Sequence, residues 1–203
     1  MASLRTIPGK SPLDRVAASS SPQPEGSRGV VVLKDLGLSD KINLRCQADN
    51  RIIAEGLKQV VGSVLPTEAH RFNASGLRSV VWCGPDEWLV LAEDGTAETI
   101  MAALDVPEAG HVAVTNVSDA LGGLILAGPH ARDVLAKHCA LDFHPDAFTP
   151  GMAQQSLLSH AGVNILCRGE DEFLIIGRSS FMPYIASLMM DAAIEYGYDY
   201  TPV

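Results

Sequence analysis

Three histidines and one cysteine lie close together in the second half of the chain and could, by residue type, bind a metal ion. They are His130, His138, Cys139 and His144. Zinc ligands follow short, recurrent spacings, and these four residues match none of them. Cys139 and His144 could also form a nucleophile and its base, but a lone cysteine is more often a small buried hydrophobic residue. The sequence therefore predicts neither a metal site nor a nucleophile here.

Two pairs of adjacent carboxylates could act as general acid and base. They are Asp86 with Glu87, and Asp171 with Glu172. Both pairs fall in predicted hairpin turns, where solvated polar side chains are typical. No glycine-rich motif for a dinucleotide or a phosphate follows a predicted strand. We therefore predict no catalytic, no cofactor-binding and no metal-binding residue in this chain.

Two tryptophans, Trp82 and Trp88, flank the first of these hairpins. Large aromatic side chains either pack in a core or anchor a partner protein at an interface. The sequence favours core packing for both residues and leaves a partner-facing role open.

The charge of the chain excludes one class of partner. The 203 residues carry a net charge of -9, and residues 1–30 hold four basic and two acidic side chains, which leaves -11 on the rest. An acidic body without a basic stripe is a poor nucleic-acid surface, because phosphate binding needs clustered Lys and Arg.

No apolar run approaches the length of a membrane span, and no signal peptide is recognisable at the start. With four scattered cysteines, these features predict a cytoplasmic chain with free thiols and no membrane contact.

The first residues differ in composition from the rest. Residues 1–30 contain four prolines and six serines without apolar periodicity. Such a segment buries too little surface to offset its ordering entropy. We expect an extended arm at 1–29, in which Ser11–Leu13 is the one piece suited to docking, and one domain at 30–203.

The clearest folded element is a strand, a turn and a helix between Val114 and His138. Leu121–Ala127 has the apolar run of a buried strand, Gly128-Pro129 ends it, and an amphipathic helix follows. Gly122 and Gly123 inside this strand indicate a bulge or close packing.

An internal repeat organises the rest of the chain. The hairpin strand that follows Asp86 matches the one that follows Asp171 at an offset of 85, and Ile42 matches Leu124 at an offset of 82. Two βαββα repeats, at about 40–106 and 111–195, predict one α+β domain with a mostly antiparallel sheet and pseudo-twofold symmetry. Local signals predict an edge strand at Val30–Leu33, a loop at Leu65–Gly76 and a helix that starts at Pro129. They also predict helix N-caps at Asp49, Thr96 and Ser180. The last helix is expected to pack through one face, formed by Phe181, Tyr184, Ile185, Leu188 and Ala192.

Several strings, taken in order, resemble the γ subunit family of heterotetrameric sarcosine oxidase. They are Trp82-Cys-Gly-Pro-Asp-Glu-Trp-Leu89, Asn116-Val-Ser-Asp-Ala-Leu121, the run from Leu126 to Lys137, and Ser11-Pro12-Leu13 with Ile42–Arg45, Leu65–Glu68 and Cys139–Phe148. The Ser-Asp and Gly-Pro strings are also similar to aminomethyltransferase and related folate-binding domains. The resemblance implies the aminomethyltransferase folate-binding fold, although no folate carboxylate can be placed on this sequence.

The resemblance also implies a role in a complex. That complex is an oxidoreductase acting on CH–NH donors with oxygen, which demethylates sarcosine to glycine and forms hydrogen peroxide with formaldehyde or 5,10-methylenetetrahydrofolate. It implies α, β and δ subunits as partners, mainly α, with FAD, FMN and NAD in the larger subunits, zinc in the smallest and tetrahydrofolate in α. The γ chain itself would be a non-catalytic accessory subunit. Two alternatives remain: a free-standing folate-dependent methyl-transfer enzyme and a general adaptor domain.

Overall fold

The computed structural model describes residues 9–26 and 29–203, which form two β-sheets flanked by four α-helices. The strands are β1 Ser19–Ser21, β2 Val31–Asp35, β3 Ser39–Arg45, β4 Phe72–Ser75, β5 Arg78–Gly84, β6 Glu87–Glu93, β7 Ala113–Asn116, β8 Leu121–Ala127, β9 Ala153–Leu158, β10 Ala161–Gly169, β11 Glu172–Arg178 and β12 Tyr198–Thr201. The helices are α1 Arg51–Val60, α2 Ala97–Leu104, α3 Ala131–Ala136 and α4 Met182–Ala193. One sheet has the order β4-β5-β6-β3-β7 and the other β1-β12-β2-β8-β11-β10-β9. Only β12 and β2 pair in parallel among these strands, so the mostly antiparallel α+β prediction is confirmed.

The two sheets stack face to face, and a pair of helices covers each outer face. In β6, Trp88 and Val90 point to the core under α1 and α2, whereas Leu89 and Leu91 point to the layer between the sheets. Because successive strand residues point to opposite faces, a strand buried on both faces becomes apolar at almost every position. This burial explains why β6, β8, β10 and β11 look like continuous apolar runs.

The strand registers reproduce the predicted repeat. Ile42 pairs with Val90 in the first half, and Leu124 pairs with Ile175 in the second, which matches the offsets of 82 and 85. Both central hairpins also contain a register shift at the same place, between Trp82 and Gly84 and between Cys167 and Gly169. Trp88 and Phe173 therefore occupy equivalent strands. Each half contains one strand more than a βαββα unit, namely β4 and β9, and β9 corresponds to the strand that the pattern of Gln154–Ser159 predicts.

The halves exchange one strand each. β2 precedes the first repeat but pairs with β8 of the second, and β7, at the start of the second repeat, pairs with β3 of the first. The exchange ties the halves into one unit, because neither sheet is complete without a strand from the other side. The expected edge strand at Val30–Leu33 is wrong in this respect: β2 lies inside the seven-stranded sheet, between β12 and β8.

The expected loop at Leu65–Gly76 is also partly wrong, because its end forms β4. Arg71 makes an isolated antiparallel bridge with Met152, Phe72 N–H donates to Gly151 O, and Ala153 N–H donates to His70 O. Long-range backbone partners thus create a strand that local periodicity does not reveal.

Helix starts differ by small steps from the sequence expectations. Asn50, not Asp49, caps α1, since its side chain accepts the Ile53 N–H at 3.1 Å. Thr96 precedes α2, but its hydroxyl donates to Glu93 O and caps nothing. α3 begins at Ala131 rather than at Pro129, and α4 begins at Met182, after a 3-10 turn at Ser179–Phe181.

The packed face of α4 is rotated from the predicted one. Met182, Ile185 and Met189 are buried, whereas Phe181 and Tyr184 are partly exposed. Met182 lies against two glycines of the sheet, Gly122 and Gly177, where a Cβ atom would approach its side chain to 2.6 Å and 3.4 Å. Because the two glycines have no side chain, they leave a space in the sheet surface that Met182 fills, and this contact orients the helix.

Part of the predicted N-terminal arm belongs to the folded core. Leu13 is fully buried in the core under α3 and α4, and Ser11 Oγ accepts the Leu13 N–H at 3.1 Å. β1 extends the seven-stranded sheet by pairing with β12. The docking expected of Ser11–Leu13 takes place on the same chain, where Leu13 packs in the core. The boundary at residue 30 stays a prediction.

Gly123 illustrates close packing without a bulge, because β8 and β11 stay in register around it. We expect Gly123→Ala to lower the free energy of unfolding by about 1 to 2 kcal/mol through overpacking. A Cβ there would lie 2.5 Å from Leu36 Cδ2. Urea denaturation measures the change. The matched control is Gly162→Ala in β10, where a Cβ meets nothing within 4 Å; equal losses in both variants would contradict the steric explanation.

Candidate functional site

The four residues considered as metal ligands do not converge. His130 stacks on Tyr196 at 4.3 Å between ring centroids and bonds Asp133 through Nδ1 at 3.0 Å. Cys139 Sγ donates to Ser156 Oγ on β9, while His144 caps a local turn by accepting the Asp146 N–H. No group of three His, Cys, Asp or Glu residues placed to hold a metal ion occurs within residues 9–26 and 29–203.

Three of the four paired carboxylates, all except Asp171, form ion pairs beside the hairpin turns within the described residues. Arg45 approaches Asp86 at 3.5 Å and Glu87 at 3.3 Å, and Asn43 donates to Glu87 at 2.7 Å. In the second hairpin, Arg168 approaches Glu172 at 3.3 Å. The carboxylates in these contacts therefore serve as surface ion-pair partners of arginine.

The two tryptophans separate into different environments. Trp88 is fully buried, and its indole N–H donates to Pro66 O at 2.9 Å. Trp82 is half-buried, and its ring meets that of His70 in an edge-to-face arrangement with 5.5 Å between the ring centroids. Core packing is thus confirmed for Trp88, while Trp82 keeps an exposed portion.

All four cysteines are unpaired in the structure, and three of them are buried. Burial raises the pKa of Cys46 to about 11, and the charge of Asp86 adds to the effect. Burial likewise raises the pKa of Cys83 to about 11 against an opposing hydrogen bond from Gln155. Because the thiolate is the reactive form, these environments make the thiols poor nucleophiles at neutral pH.

We expect alkylation of Cys83 by iodoacetamide to accelerate only as the pH approaches 11, since burial disfavours its thiolate. Mass spectrometry after timed quenching reports the rate at each cysteine. The same chain in urea is the control, and its cysteines should respond around the ordinary pKa of about 8.5. If the alkylation rate of Cys83 in the folded chain rises around that ordinary pKa, the prediction is contradicted. A disulfide found by mass spectrometry without reductant would contradict the free-thiol expectation.

A charged network that the sequence analysis missed joins the two halves. The buried Asp40 carboxylate accepts the N–H groups of Thr96 and Ala97 at 2.6 Å each, so Oδ2 supplies the cap that α2 lacks. Its other oxygen accepts from Ser118 Oγ at 3.3 Å. A carboxylate at a helix N-terminus is favoured by the helix dipole. The available signal was a pair of adjacent charged residues directly before the apolar alternation that begins at Ile42.

Lys41, next along β3, is 2% exposed. Its ammonium donates to Ser39 O at 2.7 Å and to Ser39 Oγ at 2.9 Å. Burial lowers the pKa of Lys41, although the charges of Asp40, Asp119, Asp94 and Asp35 oppose this effect. Lys41 and Asp40 line a cavity of about 590 Å³. The cavity lies between the connection from β2 to β3 and the connection from β7 to β8.

The layer between the sheets opens at two further clefts related by the repeat. One cleft, of about 490 Å³, is lined by the apolar residues Phe72, Leu91 and Leu174 and by charged residues that include Arg168. The equivalent cleft, of about 340 Å³, is lined by Gln155, Asn164 and Arg178 among other residues. The Asn164 amide donates to Cys83 Sγ at 3.7 Å. Neither cleft contains a nucleophile next to a base.

None of the described helices is both long and apolar enough to cross a membrane. The model of the sarcosine oxidase gamma subunit family matches residues 45–195. The gamma subunits of sarcosine oxidase from Corynebacterium sp. strain P-1 and from an Arthrobacter species are each 30% identical to this chain, over 92% of it and 91% of their own length.

Solved structures agree with the sequence comparison. A chain of heterotetrameric sarcosine oxidase from Corynebacterium sp. U-96 superposes with a TM-score of 0.75 at 28% identity, covering 86% of this chain and 88% of its own. Aminomethyltransferase T of the Bartonella henselae glycine cleavage system matches with a TM-score of 0.59 at 16% identity, covering 86% of this chain and 48% of its own, which shows the shared fold. The chain therefore belongs to the sarcosine oxidase gamma subunit family.

Proposed function

We propose that this chain is an accessory γ subunit of a heterotetrameric sarcosine oxidase and contributes no catalytic group. The observation that carries the proposal is the superposition, at a TM-score of 0.75, on a chain of heterotetrameric sarcosine oxidase. The complex would oxidise sarcosine to glycine with formation of hydrogen peroxide, and the methyl carbon would leave as formaldehyde or as methylenetetrahydrofolate. We place it in the cytoplasm.

The arrangement of reactive side chains supports an accessory role. No group of three His, Cys, Asp or Glu residues within residues 9–26 and 29–203 is placed to hold a metal ion, and Asp86, Glu87 and Glu172 form ion pairs with arginines. We propose that FAD, FMN, NAD, tetrahydrofolate and zinc are held by the α, β and δ subunits. The contact with α would bury well above about 2,000 Å², as permanent complexes do.

Purification of the chain alone and with its partner subunits tests the proposal. Alone, it should be colourless, inactive toward sarcosine and less heat-stable than in the complex, because a partner that binds only the folded form adds stability. Flavin absorbance or sarcosine oxidation by the isolated chain would overturn the accessory role.

Capture of partners from the host distinguishes the alternatives. Co-purification with flavin-containing subunits supports the proposal, whereas an unrelated set of partners would favour a general adaptor. Titration of the isolated chain with tetrahydrofolate tests for a free-standing methyl-transfer enzyme, and saturable binding would favour that alternative. The cleft lined by Gln155, Asn164 and Arg178, of about 340 Å³, is one place with room for part of such a ligand.

A further inference from the structure

Two oppositely charged side chains are buried on either side of the short connection between β2 and β3. Asp35 ends β2 and Lys41 lies in β3, and each is 2% exposed. They form no ion pair with each other among the salt bridges of the described residues. Burying a charged group whose hydrogen-bonding capacity is not filled is costly, so this arrangement calls for a physical reason.

The Asp35 carboxylate is half satisfied. Its Oδ1 accepts the Gly37 N–H at 2.9 Å, whereas Oδ2 has no hydrogen-bond partner within the described part of the chain. Asp35 lines a cavity of about 180 Å³, together with residues of the segment Gly9–Asp14 and the C-terminal residue Val203. The hydroxyl of Tyr200, on the neighbouring strand β12, is also buried without a partner.

The Lys41 ammonium is likewise not saturated. An ammonium has three donors, and Lys41 uses two of them on Ser39. It lines the 590 Å³ cavity together with the acidic residues Asp40, Asp94 and Asp119. The two cavities are adjacent, because four residues line both of them: Gly9, Lys10, Gly37 and Leu38.

We propose that these adjoining cavities bind a small zwitterion, a molecule with one carboxylate and one protonated amine such as an α-amino acid. Its carboxylate would accept the remaining N–H of Lys41, and its ammonium would donate to Asp35 Oδ2. A simple anion would meet the charges of Asp35, Asp94 and Asp119, and a simple cation would meet Lys41. Only a ligand with both charges completes the bonding of both buried groups.

Entry of such a ligand requires part of the outer wall to move. Part of it is the segment Gly9–Asp14, where Lys10 pairs with Asp14 at 3.0 Å on the surface. An exposed ion pair of this kind adds little stability, so its loss costs little. Leu13, which is fully buried, keeps the segment attached to the domain.

Calorimetric titration of the isolated full chain tests the proposal, and its result does not depend on whether the chain assembles with other subunits. Glycine and sarcosine serve as zwitterions, with methylamine and acetate as single-charge controls. We expect saturable binding, at one site per chain, of at least one zwitterion, and no saturation by either control over the same concentrations. Binding of methylamine or acetate as tight as that of the zwitterions, or no binding of any probe, overturns the proposal.

Variants locate the site. Asp35→Asn and Lys41→Met should each weaken zwitterion binding about tenfold or more, since each removes one charge-assisted hydrogen bond. The matched control is Lys34→Met on the exposed face of β2, which should leave binding unchanged. Unchanged binding in a folded Asp35→Asn or Lys41→Met chain overturns the assignment. If a variant fails to fold, the ligand selectivity of the unmodified chain still decides.

Discussion

Replacement of Trp88 by alanine should lower the free energy of unfolding by about 3 to 5 kcal/mol, the usual cost of removing a fully buried aromatic side chain. Trp88 lies in the core between the five-stranded sheet and helices α1 and α2, opposite Leu44 on β3. The substitution opens a cavity and also leaves the carbonyl of the buried Pro66 without its indole donor.

Urea denaturation of the purified chain, followed by circular dichroism, measures this loss. Trp82→Ala is the matched control, because Trp82 pairs with Trp88 across the same hairpin but is only half-buried. We expect it to cost about 1 kcal/mol. If Trp88→Ala does not fold, Trp88→Phe should fold with a smaller loss. Equal effects at the two positions would contradict the assignment of Trp88 to the core.

Replacement of Asp40 by alanine should cost about 2 to 4 kcal/mol, since hydrogen bonds to a charged group are worth about 1.5 to 3 kcal/mol each and the buried N–H groups would lose them. Asp40 caps α2 through Thr96 and Ala97 and reaches Ser118 of the second half. Its loss therefore weakens both a helix start and the contact between the halves.

Asp49→Ala is the control for this effect. The sequence suggests Asp49 as a helix cap, but the structure gives that role to Asn50, so we expect a change within about 0.5 kcal/mol. Comparison of unfolding midpoints in urea distinguishes the two positions. A loss at Asp49 as large as that at Asp40 would contradict the structural assignment of the caps.

The sequence alone determined the repeat and its hairpins. The alternation and apolar runs around Trp88 and Phe173 depend on burial of each strand by its own neighbours, and the tight turns at Asp86 and Asp171 leave only one nearby partner for each strand. Local signals of this kind persist in the folded chain, so the offsets of 82 and 85 reappear as strand registers.

Only the tertiary structure decided how the halves interlock. The exchange of β2 and β7, the capping of α2 by Asp40 across 57 residues, and the choice of packed face on α4 all depend on groups distant in sequence. The hydrophobic periodicity of a helix or strand indicates which of its faces is buried, but it does not indicate which surface of the protein covers that face. The space that Gly122 and Gly177 leave for Met182, and the buried charges of Asp35 and Lys41, arise only when separate strands meet, because their partners are chosen by geometry in three dimensions.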